Sequence, residues 1–125
     1  MTSTEYVLRP SEAAIAAALD RLLVEGRRLY GERLLAAYLV GSRARGDHRP
    51  DSDVDVVFVL PDDGWDLRAE RRKLSSVSYD LLVDDGVDVQ TIPVRVTEWS
   101  EPERHRNPSL IRSMRRDARP LRAAS

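Results

Sequence analysis

The chain has 125 residues, 42% hydrophobic and 33% charged, which is enough for one modest core and too apolar for a disordered polymer. Twenty basic against twenty-one acidic side chains leave a net charge of −1, which argues against broad nonspecific nucleic-acid binding, a process that runs on excess positive charge. There is no cysteine, so disulfides, cysteine-ligated zinc and a thiol nucleophile are excluded.

Met1 to Pro10 lacks the apolar core of a signal peptide, and the longest apolar run, Ala13 to Leu19, falls far short of the ~20 residues of a membrane span. A soluble, cytoplasmic protein is expected. No repeat or linker interrupts the sequence, so residues 1–125 read as a single domain with flexible ends at 1–10 and 122–125.

In chain order, Ser11 is an N-cap candidate, followed by Ile15, Leu19, Leu22, Leu23, Gly26 and Tyr30 at helical spacing. Gly31 is a natural stop for that helix. Leu34 to Val40 reads as a buried strand, and Gly41 to Asp51 as a loop with room for one helical turn. Val54 to Leu60, rich in β-branched residues, reads as a second strand. Leu67, Leu74, Val77 and Leu81 share a helical face closed by Gly86. Val87 to Val96 forms a third strand, in which Pro93 points to an edge or a bulge. Asn107 and Pro108 open a last short helix that should bury Leu110, Ile111 and Met114. The order helix, strand, strand, helix, strand, helix defines a small α/β (α+β) fold, a mixed β-sheet flanked by helices.

Two features carry the chemistry. Gly41-Ser42 follows a strand directly, where glycine admits close backbone approach and the amides of the next turn can cradle phosphate oxygens. Asp53 and Asp55, two apart at the start of a strand, project from one face and repel each other unless a cation sits between them. Mg²⁺, which takes carboxylate and phosphate oxygens together, suits that position. Each feature alone is ordinary: a turn, or a solvated strand start. Together they place a phosphate loop and an acidic pair at one sheet edge if the strands are neighbours. Asp88, set among Val87 and Val89, supplies a third acid that needs a partner if buried. Gln90 can face the same site, and Asp51 reads as a loop acid. His48 and His105 lack metal-ligand spacing and are expected at the surface. The arginine-rich stretch from Arg104 to Arg122 is either a solvated helix face or a basic surface for a partner, RNA or polyphosphate.

The run Gly41-Ser42-Arg43-Ala44-Arg45-Gly46, continued by Asp51-Ser52-Asp53-Val54-Asp55-Val56-Val57, resembles the signature of the DNA polymerase beta-like nucleotidyltransferase superfamily. It is most similar to the minimal nucleotidyltransferases, a group that includes antitoxin partners of HEPN-domain toxins. The resemblance implies a small nucleotidyltransferase fold. It also implies that ATP or another nucleoside triphosphate binds with its phosphates on Gly41 and Ser42. Two Mg²⁺ ions would lie on Asp53, Asp55 and Asp88, and the acids would act in transfer of a nucleoside monophosphate to an acceptor hydroxyl. Asp88 could act as general base. Arg45 is either a phosphate contact or a solvent-facing loop arginine. A chain this short has little room for an acceptor domain, so a HEPN-like helical subunit or self-association is expected as partner. A nucleic-acid partner is not favoured. The competing reading is a non-catalytic antitoxin or binding module that neutralises a helical partner by docking.

Overall fold

The amphipathic pattern after Ser11 folds as helix α1, Glu12–Tyr30, in the computed structural model, which describes residues 9–122. Of the ends expected to be flexible, residues 1–8 and 123–125 lie outside the described residues. Ser11 caps α1 by accepting the Ala14 N–H at 3.1 Å, and Gly31 ends it at a positive φ of 56°. A one-turn 3₁₀ helix, Gly31–Arg33, leads to strand β1, Ala36–Val40. Helix α2, Gly41–Arg45, is the single turn anticipated in the following loop.

Strand β2, Val54–Leu60, spans the β-branched run as expected. Helix α3, Leu67–Asp85, is capped by the Asp66 carboxylate on the Ala69 N–H and closed by Gly86 in the left-handed region. It delivers the chain to strand β3, Val89–Arg95. Then come α4, Val96–Ser100, a 3₁₀ turn at Pro102–Arg104, α5, Pro108–Asp117, and the two-residue strand β4, Arg119–Pro120. No described helix is long and apolar enough to cross a membrane.

The sheet order is β3-β2-β1-β4. β1 pairs antiparallel with both β2 and β4, whereas β2 and β3 run parallel, as the long crossover through α3 requires. The sheet is therefore mixed, and Pro93 lies on an edge strand. Side-chain alternation divides the core between the two faces. Val54, Val56 and Phe58 pack under α1 and α3 against Leu22, Leu74 and Leu81. Val57 and Val59 face the other way, packing with Val40, Val94, Ile111 and Met114, and Tyr38 stacks on Trp99 of α4.

Three expectations are corrected. The stretch Leu34 to Val40 is not a uniformly buried strand: pairing as β1 begins at Ala36, Leu35 is half exposed, and only Ala37 and Val40 are buried. Leu110 is 44% exposed, while Ile111 and Met114 are buried as expected. Val96 does not extend β3 but opens α4. The reason is tertiary: the Asp62 carboxylate, just past the end of β2, accepts from both the Thr97 N–H (3.1 Å) and its hydroxyl (2.8 Å), which fixes a helical start there.

Candidate active site

β1 ends, and β2 and β3 begin, at the same edge of the sheet. That geometry follows from one antiparallel and one parallel pairing around a shared β2. The register places Val40 opposite Asp55, and Asp55 opposite Gln90. One step earlier the Val54 N–H donates to the Asp88 carbonyl at 2.9 Å, which brings the starts of the two parallel strands together. Asp55 shares its alternation with Val57 and Val59, and Gln90 shares its alternation with Ile92 and Val94. Gly41-Ser42, Asp53, Asp55 and Asp88 therefore gather at one edge of the α5 face.

Gly41 holds a φ of +75°, a region that L side chains rarely adopt. A Cβ built on it would stand 2.7 Å from Oδ2 of Asp55. The glycine backbone is thus pressed against the carboxylate. Only a residue without a side chain lets the α2 turn lie there.

The electrostatics are those of crowded acids. Burial first, then the Asp88 charge and a hydrogen bond with Asp88, raise the Asp53 carboxyl above the usual carboxylate range. Burial first, then Asp53 and Asp88, raise Asp55, with Arg45 opposing. The Gln90 amide donates to Oδ1 of Asp88 at 2.8 Å.

Among the described residues no three acids or histidines stand gathered as a preformed metal cage. In chemistry, however, the set fits a hard cation: it is carboxylate oxygen throughout, and burial together with mutual repulsion raises two of its members. Asp51 is exposed in the loop, as expected of a turn acid. Arg45 faces Asp55 but is engaged by Asp47 (3.1 Å) and by Asp117 of α5 (2.9 Å).

Two residues escaped sequence reading. Arg43 is 6% exposed, and its guanidinium donates to the carbonyls of Pro50 and Ser52, pinning the loop that carries the chain from α2 to Asp53. Asp117 tethers Arg45 and so joins α5 to the Gly-Ser turn. Neither was singled out: Asp117 acts across the fold, and an arginine seven and nine residues from the carbonyls it meets looks like any loop arginine until the loop folds back on it. The histidines are less exposed than expected: His48 is a quarter exposed, 3.4 Å from Glu12, and His105 is partly buried, its Nδ1 accepting the Asn107 N–H. The C-terminal arginines are exposed, with Arg104 and Arg112 paired to Glu101 and Glu103.

A glycine–serine turn laid against carboxylates at one end of a mixed sheet is the frame of a nucleotide-handling α/β domain. Residues 19–119 match the model of the nucleotidyltransferase domain, and the chain belongs to that family. It is 37% identical over 87 residues to a bifunctional uridylyltransferase/uridylyl-removing enzyme of Thiobacillus denitrificans; the match covers 66% of this chain, which spans 10% of that relative's length. Two solved structures share the fold. One is a toxin–antitoxin crystallised with AMP-PNP, at a TM-score of 0.55 and 18% identity over 85% of this chain and 74% of that one. The other is the Shewanella oneidensis complex of a tri-AMPylated HEPN toxin with its MNT antitoxin, at a TM-score of 0.51 and 16% identity, covering 87% and 73%.

Proposed function

We propose that this nucleotidyltransferase domain transfers a nucleoside monophosphate, AMP from ATP, to an acceptor hydroxyl. The contact of the Gly41 backbone with the Asp55 carboxylate supports this reading, because it sets a glycine–serine turn against one acid of the Asp53–Asp55 pair. In it, the amides of α2 and the Ser42 hydroxyl hold the terminal phosphates. Asp53, Asp55 and Asp88 would hold two Mg²⁺ ions, which when bound neutralise phosphate charge and lower the acceptor's pKa.

The acceptor oxygen bonds to the α-phosphorus as the bond to the bridging oxygen breaks, and pyrophosphate leaves. Asp88 takes the acceptor's proton as general base, while Gln90 restrains its carboxylate. Arg45, freed from Asp47 and still tethered by Asp117, can reach a phosphate. Calorimetric titration of ATP with Mg²⁺ and with chelator is the direct test. Metal-dependent binding that Asp53→Asn weakens supports the reading, and equal binding without metal counts against it.

The acceptor is a helical protein partner of the HEPN type, or a second copy. Tyr79 (65% exposed) and Val83 (61%) of α3 offer apolar surface for one. The same patch favours a second reading, an antitoxin that acts by docking alone. Asp53→Asn separates the two, since it should abolish transfer and spare docking. Labelled ATP with each candidate partner reads out the first, and co-purification the second.

A further inference from the structure

Helix α3 carries its charge in two blocks. Arg68, Arg71, Arg72 and Lys73 occupy its first half, and Asp80, Asp84 and Asp85 its second, with the uncharged residues 74–79 between them. Glu70 is the exception, and it is buried on the inner face. Neither block suits an isolated helix. Arg68 and Arg72 stand four apart with like charge, as do Asp80 and Asp84, and such pairs repel along a helix face. The last turn holds Asp84 and Asp85 and no basic residue, the reverse of what the helix dipole favours.

We propose that the outer face of α3 pairs with the same face of a second copy of this chain, the two helices running antiparallel about a twofold axis at Ser76. Arg68, Arg72, Ser76, Tyr79 and Val83 follow one another at intervals of four, four, three and four. They therefore form one stripe, turned away from the buried Leu74 and Leu81. A twofold interface is self-complementary, so that residue i meets j and j meets i. About Ser76 the antiparallel register sets Arg72 opposite Asp80 of the second copy, and Arg68 opposite its Asp84.

The charges on this stripe await a partner. Among the described residues the ion pairs of α3 are Lys73 with Glu70, and Asp84 and Asp85 with Arg21; Arg68, Arg72 and Asp80 have none. Asp84 is thus shared with Arg21, and Arg72 with Asp80 makes the cleaner match. Beside these pairs Tyr79 (65% exposed) and Val83 (61%) supply apolar surface, and the exposed Ser75 and Ser76 let the backbones approach at the crossing.

Mixed charge identifies the occupant. A nucleic acid or an anionic lipid surface would be drawn to the basic half and repelled by the acidic half, whereas a second copy presents both signs in the complementary order. The pairing also adjoins the site. Ser75, Ser78, Tyr79 and Leu82 line a groove of about 240 Å³ that Asp88 and Gln90 also line, and the second copy's α3 would lie along its rim. Pairing rests on the partner half of the function proposed above and needs neither nucleotide nor metal, so its failure leaves transfer standing.

Analytical ultracentrifugation of the full chain at low salt, without nucleotide, compares the wild type with Arg72→Asp and Asp80→Arg. Each variant sets like charges across the axis twice and should weaken self-association about tenfold or more. An equimolar mixture of the two restores both opposite-charge contacts and should associate again. A folding defect in either variant would not be rescued by mixing, and both positions are exposed. Wild-type chain that stays monomeric up to about 1 mM overturns the pairing and leaves the face to another protein. A dimer that neither reversal weakens, or that mixing fails to restore, overturns it as well and puts self-association on another face.

Discussion

At Gly41 a single hydrogen in place of a methyl group decides whether the site exists. The residue combines a positive φ with a would-be Cβ 2.7 Å from Asp55, so Gly41→Ala must both strain the backbone and displace the carboxylate. Roughly 1–3 kcal/mol of stability should be lost in urea denaturation, together with metal-dependent nucleotide binding. Arg43 is the structural counterpart. It is a buried guanidinium satisfied by two carbonyls, and Arg43→Ala strands both acceptors, at a cost of about 2–3 kcal/mol. Arg43→Lys should recover little, because one ammonium cannot reproduce the fork.

Asp55 behaves in the opposite sense. Its native carboxyl is raised, first by burial and then by Asp53 and Asp88, so the folded chain holds that proton more tightly than the unfolded chain does. Its contribution to stability is complete below the unfolded carboxylate pKa of about 4 and is lost as pH rises through the higher native value. Asp55→Asn should therefore raise the thermal midpoint at pH 7 in EDTA and change it little near pH 3.5, as scanning fluorimetry would show. A lowered midpoint at pH 7 would mean that the carboxylate is stabilising without metal.

Elements were legible where the determinant is local and illegible where it is not. Ser11, Gly31, Gly86 and Asn107 announce helix ends by their own chemistry, and each stands at the end of its helix. Asn107 accepts the Leu110 N–H at 3.3 Å, and Asn107→Ala should cost about 1 kcal/mol by loosening α5 at its first turn. Chemical denaturation of the variant would measure it. By contrast, α4 depends on Asp62 reaching across from the end of β2, and β4 is only two residues laid beside β1. Around α4 the sequence supplies only Glu98, whose carboxylate accepts the Arg95 N–H at 3.4 Å, and nothing beside β4 announces it. Leu110 misled for the same reason: helical spacing assigns a residue to a face, but only the packed fold says whether that face meets the sheet or a cavity.

On the scale of the whole molecule, strand order is what brings Asp88 to the same end of the sheet as Asp53 and Asp55. Asp53-Val54-Asp55 was readable as a unit because both carboxylates lie on one strand start, and Asp88 stood out as an acid between two valines. That Asp53 and Asp88 interact follows from the parallel β2–β3 register, which periodicity does not encode. The tie from Asp117 to Arg45 was invisible for the same reason, since it joins the last helix to the first turn of the site.

The crossover through α3 also bears on how the chain reaches its native state. β1 and β2 adjoin through the short α2 turn and loop, whereas β3 can dock on β2 only after the whole of α3 has been traversed. Loop closure of that length makes β3 docking a late event. Asp88 is thus expected to join Asp53 and Asp55 only late in folding, on the native side of the barrier. A divalent cation that binds them would leave the refolding limb of the chevron unchanged and slow the unfolding limb. An ion bound there would then lengthen the lifetime of the folded chain without hastening its formation.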